Sequence, residues 1–294
     1  MDGTLPSPWH DGERALQRSV GLEQRMEEVG RKVVRPYMPD QHRDFFAQLP
    51  FAVIGSVDDA GDAWATLRAG APGFLYSPEP RVLRVALDTE GDDPAKAGLR
   101  DGAAVGLLGI ELHTRRRNRV NGSLRAVAGG YELDVAESFG NCPQYITVRD
   151  WSAAPAEPAP AQALAALGAR ERDLIGTAAT LFVASYADTA AGRRVDVSHR
   201  GGAPGFVQVG PDGTLTVPDY PGNRFFNTLG NLLLNGRAGL VFVDFARGDL
   251  LQLSGDAQVI LDDAALPGAE RLWRFTPRRI VWRGGALPLR WVNR

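Results

Sequence analysis

The sequence contains a single cysteine, Cys142, among its 294 residues. One thiol cannot form an internal disulfide, and the four histidines are too dispersed to build a zinc cluster. No apolar run reaches the roughly 18 residues that a membrane-spanning helix needs. Residues 1–17 also lack the basic and apolar regions of a secretory signal. From these absences we expect a cytoplasmic protein that holds no metal and enters no membrane.

Neither sign of charge dominates, since 33 Lys and Arg stand against 35 Asp and Glu. This balance argues against nucleic acid or an anionic membrane surface as a partner. The sequence motifs of Rossmann folds, P-loops, zinc proteases and α/β-hydrolases are absent as well. Turn-forming residues, in contrast, are abundant at 34 Gly and 20 Pro, and they favour a strand-rich fold.

Short segments recur at a nearly constant spacing along the chain. The segment Arg68–Phe74 (RAGAPGF) recurs as Arg200–Phe206 (RGGAPGF). Further matched blocks at almost the same spacing are Leu83–Val85 with Leu215–Val217, Gly106–Leu112 with Gly239–Phe245, Asn121-Gly122 with Ser254-Gly255, and Leu49–Ile54 with Thr180–Ser185. A repeat that spans nearly half of the chain indicates two similar domains in tandem.

Hydrophobic spacing predicts which elements each domain contains. Residues 11–35 are predicted as one helix, about 40–49 as a second helix capped by Asp40, and about 162–178 as a third. Five or six short antiparallel strands in each unit predict a small barrel. The segment Leu240–Phe245 is apolar on both faces, which predicts that the two barrels pack on each other.

The second unit carries a segment rich in Asn and Arg, at 219–231. Pro221-Gly222 predicts the start of a helix there, and three amides four residues apart would form one stripe on it: Asn223, Asn227 and Asn231. Arg224 and the helix N-terminus would give a phosphate several fixed donors. The alternative is that Asn223 and Arg224 only cap a surface helix. Because the matching position in the first unit is Asp92, we expect a phosphate site in the second unit alone.

Three other places carry candidate site residues. Alternate residues of the run 114–119 would share one strand face, and Asn121-Gly122 would supply a tight hairpin turn after it. The alternative is a solvated charged face. In the segment 137–146 we expect Asn141 and Gln144 to line a site and Cys142 to be a small buried apolar residue. His199 either bonds a cofactor ring or merely ends a strand.

Three segments carry a family resemblance: 113–122 (HTRRRNRVNG), 137–146 (ESFGNCPQYI) and 198–206 (SHRGGAPGF). They resemble a bacterial branch of the pyridoxamine 5′-phosphate oxidase-like, FMN-binding split-barrel superfamily, in which two split barrels lie in one chain. Residues 196–206, 219–231 and 239–255 resemble the superfamily as a whole. The resemblance covers about residues 40–262. Two features of true pyridoxamine-phosphate oxidases are missing, the strand Arg-x-Val-Leu-Leu-Lys and the ending Arg-Leu-Ala-Pro. These departures argue against vitamin B6 oxidation.

The resemblance implies a mainly β, α+β fold of two tandem split β-barrels that form an intramolecular pseudo-dimer. We place a helical extension at 1–39, a first barrel at 40–151, a Pro/Ala linker at 152–162, and a second barrel with a C-terminal hairpin at 163–294. FMN would lie between the barrels. The cofactor-binding residues so implied are Ser198, His199, Arg200, Asn223, Arg224, Asn227, Asn231 and Gln252 of the second unit, with Arg115, Arg117, Asn118, Asn141 and Gln144 of the first.

The function implied is that of an FMN-dependent oxidoreductase acting on an unknown small substrate. No side chain is assigned as a catalytic acid or base, because the flavin would supply the electron and hydride chemistry. NAD(P)H or a reductase is the candidate redox partner, and the protein would be a monomeric pseudo-dimer or a homodimer. Two alternatives remain open: a non-enzymatic carrier of flavin, F420 or haem, or an interaction protein whose site has decayed.

Overall fold

The computed structural model describes residues 7–86, 91–155, 157–261 and 266–294. Its helices are α1 (Asp11–Ser19), α2 (Glu23–Val33), α3 (Asp40–Ala47), α4 (Ala169–Thr177) and α5 (Asn227–Asn235), with a 3-10 helix at Pro94–Gly98. Within the described part of the chain, none of these helices is both long and apolar enough to cross a membrane.

Most of the remaining chain is strand. The strands before the linker are β1 (Phe51–Val57), β2 (Ala63–Ala69), β3 (Leu75–Glu79), β4 (Val82–Val85), β5 (Ala104–Glu111), β6 (Arg116–Val127), β7 (Gly130–Gly140) and β8 (Arg149–Ala153). Those after it are β9 (Gln162–Leu164), β10 (Thr180–Thr189), β11 (Gly192–Gly201), β12 (Gln208–Val209), β13 (Leu215–Asp219), β14 (Arg237–Asp244), β15 (Asp249–Ile260), β16 (Arg271–Arg283) and β17 (Leu289–Asn293).

The two large sheets have the same strand order. The first sheet runs β2-β1-β5-β6-β7-β4-β3, and the second runs β11-β10-β14-β15-β16-β13-β12. We call the first sheet with its loops and the helix before it the first unit, and the second sheet with its own the second unit. A helix precedes the first strand of each sheet, α3 in one and α4 in the other. The 3-10 helix and α5 also occupy corresponding places, between the fourth and fifth strands. The predicted mainly β fold with flanking helices is thus confirmed.

Both sheets carry a β-bulge at the same point. The register shifts between Asn121 and Gly122 on β6 and between Ser254 and Gly255 on β15. A Cβ on Gly122 would lie 1.9 Å from a carbonyl oxygen, and one on Gly255 would lie 2.1 Å from another, so each bulge requires glycine. The predicted hairpin turn at Asn121-Gly122 is therefore wrong, because the pair lies inside a long strand.

The two units pack face to face through strands that are buried on both sides. Along β14, Leu240 and Phe242 point into the core of their own unit, whereas Val241 and Val243 join a cluster shared by both units. This arrangement is what the two-faced apolar pattern predicted. The units approach closely at Gly106 and Gly239, which are matched positions of the repeat; a Cβ on either would be within 3 Å of the other unit's backbone.

Three predicted element boundaries are wrong. The expected single helix at 11–35 is two helices, since Gly21 takes the left-handed conformation (φ +71°) between α1 and α2. Asp40 is the first residue of α3 and not its cap; the N-cap position is Pro39, which makes no side-chain capping bond. The helix expected at 162–178 is the shorter α4, because residues 162–164 pair with β16 instead.

The ends of the second unit differ from expectation as well. β8 and β9 overlap the two ends of the linker predicted at 152–162, at residues 152–153 and at 162. The segment expected to be an added hairpin contributes β16, an interior strand that pairs with both β15 and β13, while β17 pairs with β8.

The predicted match of Leu49–Ile54 to Thr180–Ser185 is displaced by two residues. Leu108 and Val241 are matching positions of the repeat. Val53 pairs with Leu108 and Phe182 pairs with Val241, so Phe182 corresponds to Val53.

Candidate functional site: a cleft between the two units

A cleft of about 870 Å³, open mouth included, lies where the two units meet. The first unit contributes β5, β6 and the loop after β7, and the second contributes the end of β11, the end of β13 and the loop that leads into α5. The predicted site residues that line this interface cleft are Arg117, Asn141, Gln144, Ser198, His199, Arg200, Asn223, Arg224 and Asn227.

The other predicted residues lie elsewhere. Asn231 is fully buried one turn further along α5, where its amide bonds His10, Ser185 and Asp196. Gln252 is buried on β15 beside Asp93.

Two of the residues predicted on the first unit also lie outside the cleft. Asn118 is buried within β6, and Arg115 occupies the turn before β6 with φ +58°, so it does not share a strand face with Arg117 and Arg119.

The predicted stripe of three amides does not form. The helix starts at Asn227 and not at Pro221, so Asn223 precedes it and its side chain accepts a bond from the Phe225 amide. Arg224 also lies before the helix, where its guanidinium pairs with Glu270 at 2.6 Å. The two residues therefore shape the loop ahead of α5.

Arg119 connects the two units beneath the cleft. From β6 it donates to Asn227 at 2.7 Å, to Asp196 at 3.1 Å, and to the hydroxyl of Ser198. Burial lowers the pKa of Arg119, and the Asp196 carboxylate opposes that shift. The Asn227 side chain is engaged on its other side too, because its amide nitrogen donates to Glu13 of α1. These side chains thus bond to one another across the two units and fix the frame of the cleft.

Arg117 carries an unbalanced positive charge. Among the described residues no carboxylate lies within ion-pair distance of it, and its Nε lacks a hydrogen-bond partner. Burial, together with the nearby charges of Arg119 and Arg200, lowers the pKa of Arg117 to about 10, so it stays protonated at neutral pH. A partly buried cation without a counter-ion favours binding of an anionic or electron-rich ligand.

His199 is neutral. Burial lowers the pKa of His199 well below 6.5, and Arg117, Arg200 and Arg149 lower it further. Arg117 lies 3.1 Å from Nδ1 and can only donate, so the ring proton belongs on Nε2. That Nε2 has no partner among the described residues, nor has the side-chain nitrogen of Asn141. Buried donors without a partner among the described residues therefore lie in the side chains along one side of the cleft.

The N-terminus of α5 forms another side of the cleft. The residue at the N-cap position, Phe226, has φ +61° and provides no side-chain cap, and the hydroxyl of Thr228 in the first turn is buried without a partner among the described residues. Arg200, which pairs with Asp219 at 2.8 Å, is close by. Left-handed backbone at Tyr145, Arg224 and Phe226, all lining residues, marks strain of the kind that gathers at binding sites.

Some lining residues were not predicted from the sequence. Thr228 lies just behind Asn227, and the rings of Tyr145 and Tyr220 lie 5.2 Å apart, with Tyr145 donating to the Pro221 carbonyl. Tyr145 and Tyr220 belong to different units, so no local pattern relates them. Cys142, expected to be buried, is half-exposed and lines the cleft.

No protein-family model and no curated protein matches the sequence. Solved structures similar to the chain include the FAD-binding protein from Mycobacterium smegmatis, at 17% identity over 42% of this chain and 96% of that one, with a TM-score of 0.27. HutZ, the heme storage protein from Vibrio cholerae, matches at 17% identity over 38% and 86%, with a TM-score of 0.25.

Another similar structure is a Clostridium acetobutylicum protein related to general stress protein 26 of B. subtilis, of the pyridoxinephosphate oxidase family. It matches at 14% identity over 42% of this chain and 92% of that one, with a TM-score of 0.30. Each alignment thus spans less than half of this chain.

Proposed function

We propose that the interface cleft binds a flavin phosphate, FMN, and that the protein is a flavin-dependent oxidoreductase. The observation that carries this proposal is the uncompensated charge of Arg117 beside the unused donors of His199 and Asn141. A flavin ring is planar and bordered by oxygen and nitrogen acceptors. The same cleft holds an uncapped helix N-terminus, which suits a phosphate.

The residues around the cleft differ in which of their hydrogen-bonding atoms are available to a ligand. Asn227 and Arg119 bond mainly to other side chains of the protein, so their part is to hold the frame. The backbone amides of the first turn of α5 and the hydroxyl of Thr228 would hold the phosphate, with Arg200 adding charge. Arg117 and the Nε2–H of His199 would hold the ring, since both are donors without a competing acceptor.

We further propose that the two units are split barrels of an intramolecular pseudo-dimer, with domain limits at 40–151 and 163–294. Identical strand order, bulges at matching positions and the reciprocal approach of Gly106 and Gly239 support this arrangement. Because the cleft takes its walls from both units, neither unit alone would bind the cofactor.

When bound, a flavin supplies hydride and electron transfer. The chain's own contribution is binding and orientation, and Arg117 places a positive charge where it favours electron-rich forms of a ligand. His199 acts as a neutral donor and not as an acid or base, because its pKa lies well below neutrality. The open mouth beside Tyr145 and Tyr220 would admit a small substrate or NAD(P)H.

The test is titration of the purified protein with FMN, followed by flavin fluorescence. We expect binding of one FMN per chain, and Arg117→Gln should weaken it roughly tenfold or more, the loss of about one charge-assisted hydrogen bond. Arg100→Ala, an exposed arginine paired with Asp59 outside the cleft, is the matched control and should bind as the wild type does.

Failure of the wild type to bind FMN or FAD would contradict the proposal. An intense haem absorption band on adding haemin, without flavin binding, would instead support a haem carrier. Reduction of the bound flavin by NAD(P)H would distinguish an oxidoreductase from a flavin carrier.

A further inference from the structure

In the first unit, the place that corresponds to the interface cleft is filled by the carboxylate of Asp93. This side chain is completely buried. One of its oxygens accepts from the amide of Ala95 at 3.0 Å and so caps the 3-10 helix, the element that stands where α5 stands in the second unit. A carboxylate so far from water requires several donors to offset its lost hydration.

Four side chains from both units surround the carboxylate: Thr66 and Gln252 donate hydrogen bonds to it, and Arg68 and Arg283 form ion pairs with it. The closest atoms are Thr66 Oγ1 at 2.6 Å, Arg68 Nη2 at 2.9 Å, Gln252 Nε2 at 3.1 Å and Arg283 Nη1 at 3.2 Å. Thr66 and Arg68 belong to β2, whereas Gln252 and Arg283 reach across from the second unit. Burial and the neighbouring charge of Arg68 lower the pKa of Arg283 to about 10.

The donors on β2 stand at positions equivalent to those of the cleft. Val53 pairs with Leu67 and Phe182 with His199, so Leu67 corresponds to His199. The flanking residues Thr66 and Arg68 therefore correspond to Ser198 and Arg200, which line the cleft.

Gln252 has an equivalent beneath the cleft. Arg119 pairs with Leu108 and Gln252 with Val241, at matching positions of the two sheets, so Gln252 corresponds to Arg119. Each of the two side chains reaches from its own sheet to a backbone carbonyl of the other unit.

The fourth donor also has an equivalent. Asn118 and Leu251 are matching positions of the two sheets; Gly140 pairs with Asn118, and Trp282 pairs with Leu251. Gly140 therefore corresponds to Trp282, and the residues that follow them, Asn141 and Arg283, correspond as well. Every donor around Asp93 on the strands therefore has a counterpart in or beneath the interface cleft.

We propose that this cluster is a second anion site, related to the cleft by pseudo-symmetry, which the chain closes with its own carboxylate. The ligand class that it would take is a small oxyanion, phosphate in particular, gripped by two guanidinium groups, a hydroxyl and an amide. Asp93 occupies the anion's place, so a native chain has one open site and one closed site. This inference rests on the contacts of Asp93 and does not depend on the proposed flavin.

The test is to remove the carboxylate and offer inorganic phosphate. Asp93→Gly leaves space between two buried arginines, so its thermal midpoint should fall by roughly 5–10 °C in chloride buffer. Phosphate should restore several degrees more to this variant than to the wild type, and calorimetry should count one additional bound phosphate. Asp93→Asn loses the same charge but keeps a side chain of the same size. No space opens for phosphate in this variant, so phosphate should not restore its thermal midpoint.

Further variants decide between this site and a nonspecific effect. Adding Arg68→Ala to Asp93→Gly should abolish the additional phosphate, and Asp59→Ala, which removes an exposed carboxylate paired with Arg100 outside the cluster, should bind as the wild type does. If Asp93→Gly folds only in phosphate and not in chloride of equal ionic strength, the proposal is supported. Equal behaviour in the two salts, rescue by formate without rescue by phosphate, or no additional bound phosphate would each overturn it.

Discussion

At the scale of single residues, Glu13 is the clearest case of a side chain whose protonation is coupled to folding. It lies on α1, fully buried, and accepts bonds from the side chain of Asn227 and the amide of His10. Burial raises the pKa of Glu13 to about 8; the charge of Arg194 opposes the shift and that of Asp196 adds to it. The folded protein thus keeps a proton here that the unfolded chain releases above about pH 4.5.

This retained proton predicts a pH dependence of stability. Between about pH 4.5 and 8 the folded state binds more protons than the unfolded state, so the free energy of unfolding falls as the pH rises. The contribution of Glu13 to that fall is on the order of 3 kcal/mol. In Glu13→Gln the fall should be smaller, which urea denaturation at pH 5, 6, 7 and 8 would measure. The exposed Glu28→Gln should leave the slope unchanged, and an unaltered slope in Glu13→Gln would contradict the expectation.

Some residues of the candidate site can be predicted from the sequence, and others cannot. The family resemblance implies a common site for the segments around Arg117, Asn141 and Ser198–Arg200, and all three line the cleft. That Arg119 and Arg224 are engaged by Asp196 and Glu270 could not be foreseen. Those carboxylates lie far from the two arginines along the chain, and such pairing leaves no local pattern.

At the scale of elements, α1 and α5 cross at a pair of glycines. A Cβ on Gly12 would lie 2.1 Å from the carbonyl oxygen of Gly230, and a Cβ on Gly230 would lie 2.6 Å from the backbone nitrogen of Glu13. Contact this close is compatible only with glycine. It brings Glu13 against Asn227, so the crossing positions the first turn of α5, a wall of the cleft.

We expect Gly230→Ala to destabilise the protein by about 2 kcal/mol, because the methyl group must push α1 off α5. The control is Gly176→Ala in α4, where nothing lies within 4 Å of the added methyl group. That variant should be more stable than the wild type by about 0.5–1 kcal/mol, the usual gain in helix propensity. Urea denaturation measures both. A stabilising Gly230→Ala would show that the two helices are not in contact.

Elements were predicted better than their boundaries. Hydrophobic period and turn residues are local signals, and they indicate helices and a strand-rich unit without fixing where each element begins and ends. The repeat matches Asn121-Gly122 correctly to Ser254-Gly255, but the sequence alone predicts a hairpin turn there. Glycine serves a bulge as well as a turn, and only the strand pairing distinguishes them.

At the scale of the whole molecule, the two units share one apolar cluster. Phe51 and Val53 of the first unit pack with Phe182 and Val241 of the second in it. Ion pairs also cross between the units, such as Asp62 with Arg237 at 3.0 Å. An interface of buried side chains resembles the interior of a domain more than a contact between mobile domains.

Cutting the linker should therefore leave the two units associated. Residues 157–160 are exposed, and a protease site inserted there would separate the chain into two pieces without touching either sheet. Because the shared apolar cluster and the crossing ion pairs do not depend on chain continuity, the cleaved pieces should elute together in size-exclusion chromatography. Their thermal midpoint should drop by only a few degrees, since cleavage mainly raises the entropy of the unfolded state. Elution as two separately folded halves would show that the linker, and not the interface, holds the cleft together.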